Sequence, residues 1–264
     1  MRSLSNIAAA WPARLSWRVA AAALAYTAFA GGCAAFTLLA LPVACLLPGG
    51  PVARARRVRR MLGFLFRSFL ALLRALRVVS MHVEGIERLG RPGQVVLANH
   101  PTLIDALFLL GLAPSSTCIV KEALWHNLLT RWSVAAAGYV SNTPTERMIE
   151  GASNALRSGE SVVVFPEGTR TVPGRPLSFH RGAAAIAIRA ATVVTPVYIR
   201  CSPPTLAKGV PWYHVPERRV HFSVSVGADL DPALFRAAAP PPIAARELNR
   251  RLMEVFAAEL QTGP

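Results

Sequence analysis

At 264 residues the chain fits one domain with an appendage, and 53% hydrophobic against 16% charged residues excludes intrinsic disorder. The 29 lysines and arginines exceed the 14 acidic residues by 15, so the chain asks for a polyanionic partner, either nucleic acid or an anionic membrane surface. Its cysteines, Cys33, Cys45, Cys118 and Cys201, show neither C-x-x-C spacing nor a cluster with histidine, which speaks against a metal centre and a disulfide framework.

Residues 19–47 contain no charge. Arg2, Arg14 and Arg18 precede them, and Arg54, Arg56, Arg57, Arg59 and Arg60 follow. Positive charge at both ends favours the same side of a bilayer for both. This predicts an apolar hairpin over 19–47 with Gly31-Gly32 at its tip, its arms ~13–15 residues and about 20 Å long, too short to span. The competing reading is a single crossing helix that ends near Pro42. Residues 57–78 then read as a basic amphipathic helix. Arg60, Arg67 and Arg74 share one face, and Leu62, Phe66, Phe69 and Leu73 line another, the pattern of a helix lying in a lipid interface. Residues 1–79 are therefore expected to be a membrane-associating helical region, and 80–264 an α/β domain.

Beyond Ser80, strands are predicted at 94–98, 117–120, 139–140, 161–165, 193–199 and 220–226. Helices are predicted between them at 103–112, 123–137 and 183–190, with a terminal helix at 243–260. One more runs from Thr143 as N-cap, with Pro144 at N1 and Glu146 at N3, to Gly159. Residues 201–219 read as a loop and 237–242 as an Ala/Pro linker. The alternation implies an α/β fold: a mixed, mostly parallel sheet flanked by helices, with the membrane-binding helical hairpin at its N-terminal side.

Ligands of such sheets gather beyond the carboxyl ends of the strands, where His100, Lys121 and Glu167 are expected. Asn99-His100-Pro101-Thr102-Leu103-Ile104-Asp105 sets a histidine and a carboxylate across a strand-to-helix turn. Asp105 can hold one ring nitrogen and leave the other as a base. Thr102-x-x-Asp105 is equally a capping box, in which Asp105 merely satisfies backbone amides. In Phe165-Pro166-Glu167-Gly168-Thr169-Arg170, Gly168 permits close backbone approach, Glu167 can accept from a hydroxyl and Arg170 can grip a phosphate. Arg181 adds a second cation at the end of this loop.

Asn99–Asp105 and Phe165–Arg170 resemble the first and third sequence blocks of the glycerolipid acyltransferase family, typified by 1-acylglycerol-3-phosphate acyltransferases, and Thr195-Pro196-Val197 resembles the fourth. The resemblance covers roughly residues 80–200. It implies that His100 deprotonates the acceptor hydroxyl, oriented by Asp105, and that the hydroxyl attacks an acyl thioester directly with no acyl-enzyme. Asn99, Glu167, Gly168, Thr169, Arg170 and Arg181 would contact the acceptor, and Lys121 would stabilise the oxyanion. The donor would be acyl-CoA or acyl carrier protein, with no cofactor and no metal. The acceptor would be a lysophospholipid-type membrane lipid, and the site would face the cytoplasm from the inner membrane. One block departs. The second usually carries an arginine for the acceptor phosphate, but Gly138–Thr143 has none, the nearest being Arg147. Other hydroxylated lipids, such as an ornithine-type lysolipid or a polyene-linked glycerolipid, therefore enter as acceptors.

Two other classes compete. A membrane-bound thioesterase or lipase would use the same histidine, but no Gly-x-Ser-x-Gly elbow marks a serine nucleophile. A non-enzymatic basic membrane-binding module would need only the charge. Nucleic acid is disfavoured, because the arginines lie beside apolar runs and no stacking platform or recognised motif stands out.

Overall fold

The computed structural model describes residues 13–172 and 176–261, with side chains from Trp17 onward. Arg2 and the side chain of Arg14 lie outside the described residues. The chain opens with α1 (Ala13–Ala35), which runs through a π-helical turn at Phe36–Ala40 into α2 (Leu41–Leu46). A bend over 47–50 reverses it into α3 (Pro51–Ala75).

The hairpin expected within 19–47, with its tip at Gly31-Gly32, is not formed: this stretch is one continuous helix, as in the competing reading, and the hairpin the chain does make pairs that whole helix with α3. The apolar helix continues unbroken through both glycines, because α3 packs so close that a Cβ on Gly32 would lie 2.8 Å from Leu65 Cδ1. The turn falls instead at Leu47-Pro48-Gly49-Gly50, where Gly49 takes a φ of +131° that side-chain-bearing residues avoid. Arg57 closes this turn: Nη1 donates to the Ala44 carbonyl (2.7 Å) and Nη2 to that of Pro48 (2.9 Å), satisfying carbonyls left open where the apolar helix ends. One arm is therefore the whole apolar helix and the other is the amphipathic α3, which begins earlier and ends earlier than the predicted 57–78. The arms run antiparallel. Tyr26 meets Phe69, with centroids 5.7 Å apart, and further along Phe29 meets Phe66 at 6.2 Å.

The body consists of β1 (Val79–Glu84), β2 (Gln94–Ala98), α4 (Asp105–Leu112), β3 (Thr117–Val120), α5 (Ala123–His126), α6 (Arg131–Ala136), β4 (Val140–Ser141), α7 (Thr145–Arg157), β5 (Val162–Val164), α8 (Gly182–Ala190), β6 (Val193–Ser202), β7 (Val220–Val226), α9 (Pro232–Ala238) and α10 (Pro241–Gln261). The sheet order is β1-β7-β6-β2-β5-β3-β4, and every pairing is parallel except β6–β7. β2 is central and apolar on both faces. Val95 and Leu97 pack under α7, α8 and α10, and Val96 and Ala98 pack under α3, α4 and α6.

Four expectations are corrected. β1 was not anticipated. Its alternation of Val79, Met81 and Val83 with polar residues fits a half-covered strand, here parallel to β7. The helix expected over 123–137 is two short helices, because Asn127 intercepts the amides that would continue α5: the Leu129 amide donates to its side chain at 2.9 Å. Thr143 does not cap α7. Its hydroxyl donates to Glu122, and the extended Pro144 precedes the first helical residue. The 237–242 linker is mostly helical, with only Ala239 and Pro240 between α9 and α10.

Trp17–Leu46 is long and apolar enough to cross a membrane, and little of it is buried inside the protein. Its inward residues Ala22, Ala25 and Phe36 are buried, while Leu38, Leu39 and Leu46 are 73%, 69% and 85% exposed. Arg60, Arg67 and Arg74 line the exposed side of α3, as the heptad spacing implied. Arg59 instead turns inward, 1% exposed, and grips Glu160 with both guanidinium nitrogens, Nη1 to Oε2 at 2.9 Å. This buried ion pair ties the hairpin to the segment that leads into β5.

Candidate active site

β2 and β5 are adjacent and parallel, with Val95 opposite Val162 and Leu97 opposite Val164. The two motifs that follow them therefore leave the same edge of the sheet side by side, about 4.8 Å apart in the hydrogen-bonding direction. The carboxyl end of β2 is tied across to β6 by Asn99: its Nδ2 donates to the Ile199 carbonyl and its Oδ1 accepts from the Ile199 amide, both at 2.8 Å. Asn99 is buried, and this pairing occupies both of its polar atoms. It is a positioning residue, and the expectation that it touches the acceptor is corrected on that ground.

His100 Nδ1 lies 2.8 Å from Asp105 Oδ2. Asp105 is fully buried, and a carboxylate can only accept there, so the proton sits on Nδ1 and the lone pair on Nε2. The same Oδ2 accepts from the Thr102 amide at 2.6 Å, and Oδ1 accepts from the Thr102 hydroxyl. Both readings of Asp105 thus hold at once: it reaches back to a backbone amide at the helix start, as a capping box does, and it holds the imidazole. Burial pushes the Asp105 carboxyl above the ordinary carboxylate value, and the hydrogen bonds from His100 and Thr102 oppose that shift. The His100 side chain is 19% exposed, so the ring opens to the surface, and Nε2 has no protein partner among the described residues.

The second loop clamps the histidine from both sides. Glu167 Oε1 accepts from the His100 amide at 2.9 Å, and the Thr171 amide donates to the His100 carbonyl at 2.7 Å. Thr171 Oγ1 closes the clamp by donating to Glu167 Oε1 at 2.7 Å. Burial raises the Glu167 carboxyl above its usual value, partly offset by these bonds. The Phe165 ring packs on the imidazole, with centroids 4.4 Å apart and planes at 32°. Gly168 is left-handed (φ +64°), which favours glycine, and a Cβ there would press on the His180 ring at 3.0 Å.

Arg170 also works inward. Its Nη1 donates to the carbonyls of Leu206 (2.8 Å) and Ala207 (3.0 Å), folding the loop after β6 onto the site, and Nη2 has no hydrogen-bond partner among the described residues. Thr169 is half-buried beside it. Arg181 is exposed at the start of α8, at the end of the same loop. Lys121 stands apart: it is exposed at the end of β3, which is separated from β2 by β5. The structure thus brings together His100, Asp105, Glu167 and Arg170, and it leaves Lys121 two strands from the imidazole. Thr171 and Phe165 belong to the site as well. Phe165 stands at a strand end inside the motif, which was a usable signal. Thr171 follows the motif, and nothing in its letter marks it.

Among the described residues, no group of His, Cys, Asp and Glu is arranged to hold a metal ion. Residues 80–200 match the protein family described as Acyltransferase. The chain is 31% identical over 127 residues to the chloroplastic 1-acyl-sn-glycerol-3-phosphate acyltransferase LPAT1 of Arabidopsis thaliana, covering 44% of this chain and 35% of that one. It is 25% identical over 132 residues to the 1-acyl-sn-glycerol-3-phosphate acyltransferase of Pseudomonas aeruginosa, covering 48% and 51%. The matched stretch thus spans between a third and a half of these relatives' lengths. The crystal structure of PlsC, the 1-acyl-sn-glycerophosphate acyltransferase of Thermotoga maritima, superposes with a TM-score of 0.70 at 22% identity, covering 94% of this chain and 96% of that one. That likeness extends the shared fold to nearly the whole chain.

Proposed function

We propose, from the match of residues 80–200 to the Acyltransferase family, that the protein transfers a fatty acyl group from an acyl thioester to a free hydroxyl of a lysophospholipid-type acceptor. The observation that carries this reading is the 2.8 Å contact of His100 Nδ1 with buried Asp105, which leaves Nε2 as an accessible base. Nε2 takes the acceptor's hydroxyl proton as the oxygen bonds to the thioester carbonyl carbon. The imidazolium so formed is stabilised by Asp105 across Nδ1. Collapse of the tetrahedral intermediate breaks the C–S bond, and Nε2 returns the proton to the departing thiolate. No step requires a covalent acyl-enzyme.

Glu167 and Thr171 act by holding the His100 backbone, and so fix where Nε2 points. The remaining Nη2 of Arg170 and the exposed Arg181 supply positive charge for an acceptor head group. Lys121 stands two strands along the sheet from the imidazole. Its exposed charge there can serve an acidic donor, since CoA and acyl carrier protein are both acidic.

The apolar helix packs against α3 along much of its length, and α3 packs on α4. A helix held this way lies along the domain instead of standing clear of it. Its exposed leucines support a seat in one leaflet, with the arginines of α3 toward lipid phosphates. Because acyl thioesters are cytoplasmic, that leaflet is the cytoplasmic one.

The test is an acceptor panel read by mass spectrometry. Purified full-length protein is given acyl-CoA or acyl carrier protein together with 1-acylglycerol 3-phosphate, an ornithine lysolipid or another monoacylated lipid. A diacylated product is expected from at least one acceptor. Thioester hydrolysis with no acylated lipid would mark a thioesterase instead.

A further inference from the structure

Between α5 and α6 the chain presents a second apolar surface. Leu128, Leu129 and Trp132 are 71%, 76% and 57% exposed. The turn that carries them is held by its own hydrogen bonds. Asn127 takes the amides of Leu129 through its side chain and of Thr130 and Arg131 through its carbonyl, and the Thr130 hydroxyl donates to the Leu124 carbonyl at 2.7 Å. A compact tip with projecting leucines is suited to the interfacial zone of a bilayer, where apolar side chains are buried and the remaining backbone groups still meet water.

The charges nearby complement an anionic surface. Arg131 stacks on the Trp132 ring, its guanidinium carbon 4.7 Å from the centroid, and exposed Lys121 precedes α5. The one acid of the segment, Glu122, accepts from Thr143 and lies 3.8 Å from His126 Nε2. A tryptophan with an arginine against its face matches the composition of membrane–water interfaces.

This ledge is joined to the exposed apolar helix. Thr37 Oγ1, in the π-helical turn, lies 3.3 Å from Ser133 Oγ at the start of α6, and α2 packs against α6. The ledge also begins at the end of β3, the strand beside the one that carries Glu167. We propose that Leu128, Leu129 and Trp132, backed by Arg131, form a second membrane-seating surface that enters the same anionic leaflet as the apolar helix and sets the active-site edge of the sheet against the bilayer. The identity of the surface rests on the membrane seat proposed above. The ledge's own contribution does not follow from the hairpin.

The full-length protein carrying Leu128→Glu and Leu129→Glu is compared with wild type by co-sedimentation with phosphatidylglycerol–phosphatidylcholine vesicles, and thermal unfolding checks the fold. Vesicle partitioning should weaken about tenfold or more, because two inserted leucines become charged. Turnover with acceptor embedded in vesicles should fall in parallel. Turnover with a short-chain acceptor dissolved as monomers should stay within about twofold. As an independent readout, lipids brominated near the head groups should quench wild-type fluorescence more than that of a Trp132→Phe variant. Unchanged partitioning, equal loss with both acceptors, equal quenching of the two proteins, or lost affinity for acyl carrier protein with vesicle binding intact would overturn the proposal. If wild type binds vesicles but makes no product, the catalytic reading fails and the ledge still stands or falls on partitioning.

Discussion

Asp105→Asn isolates charge from geometry at this site. The Thr102 amide points at Oδ2 from 2.6 Å and demands an acceptor there. An asparagine must therefore place its oxygen at that position, where it also accepts from His100 Nδ1, and its NH2 faces the Thr102 hydroxyl, which can rotate to accept. The imidazole keeps its orientation and its tautomer, and only the negative charge facing the developing imidazolium is lost. For charge centres about 4 Å apart at an effective dielectric of about 20, that loss is about 4 kcal/mol as an upper figure. The amide hydrogen bond that remains returns about 1 kcal/mol. A net loss of about 3 kcal/mol corresponds to a turnover roughly 10²–10³-fold lower, at 1.36 kcal/mol per decade. The assay is transfer of labelled acyl groups at saturating donor and acceptor, alongside Asp105→Ala, which also frees the ring and should fall further. An asparagine variant within about tenfold of wild type would reduce Asp105 to a helix cap. A loss beyond about 10⁴, as expected for an inverted tautomer, would refute the argument that Thr102 fixes the amide.

Glu167→Gln keeps the oxygen that accepts from the His100 amide and from Thr171, and it removes a buried charge. Because burial raises the Glu167 carboxyl in the fold, its ionisation costs stability. That cost is absent below the unfolded value of about 4.3 and is fully present once pH has passed the folded value. The glutamine variant should therefore gain thermal stability over wild type as pH rises from about 4 to 7.5 in unfolding scans, and a gap that narrows over this range would contradict it. Arg59→Met strands Glu160 beside a buried site and should destabilise the protein by about 3–5 kcal/mol in denaturant unfolding. Replacing both partners with apolar residues should recover most of that loss.

The strand-to-loop positions of His100 and Glu167 were legible because short apolar runs bounded by motif residues identify parallel strands, and parallel strands deliver their ends to one edge. The direction in which polar atoms face was not. Asn99 and Arg170 sit in motifs that suggest ligand contact, yet Asn99 pairs with Ile199 and Arg170 Nη1 holds the Leu206 loop. A residue letter does not say whether its partner is substrate or its own backbone. Gly31-Gly32 misled for a related reason: glycine marks turns and close helix contacts alike, and only the packing of Leu65 shows which applies. β1 carried an alternation signal that was masked by the helix ending just before it, and Asn127 carried a turn signal inside an apolar helical pattern.

The most direct test is acyl transfer by His100→Ala, measured with the same labelled thioester and lysolipid as wild type and with vesicle binding and thermal unfolding recorded in parallel. Transfer should drop by about 10³-fold or more, the order expected when a general base is removed, while the fold and membrane binding persist. Product formed at a rate close to wild type would mean that the imidazole is not the base.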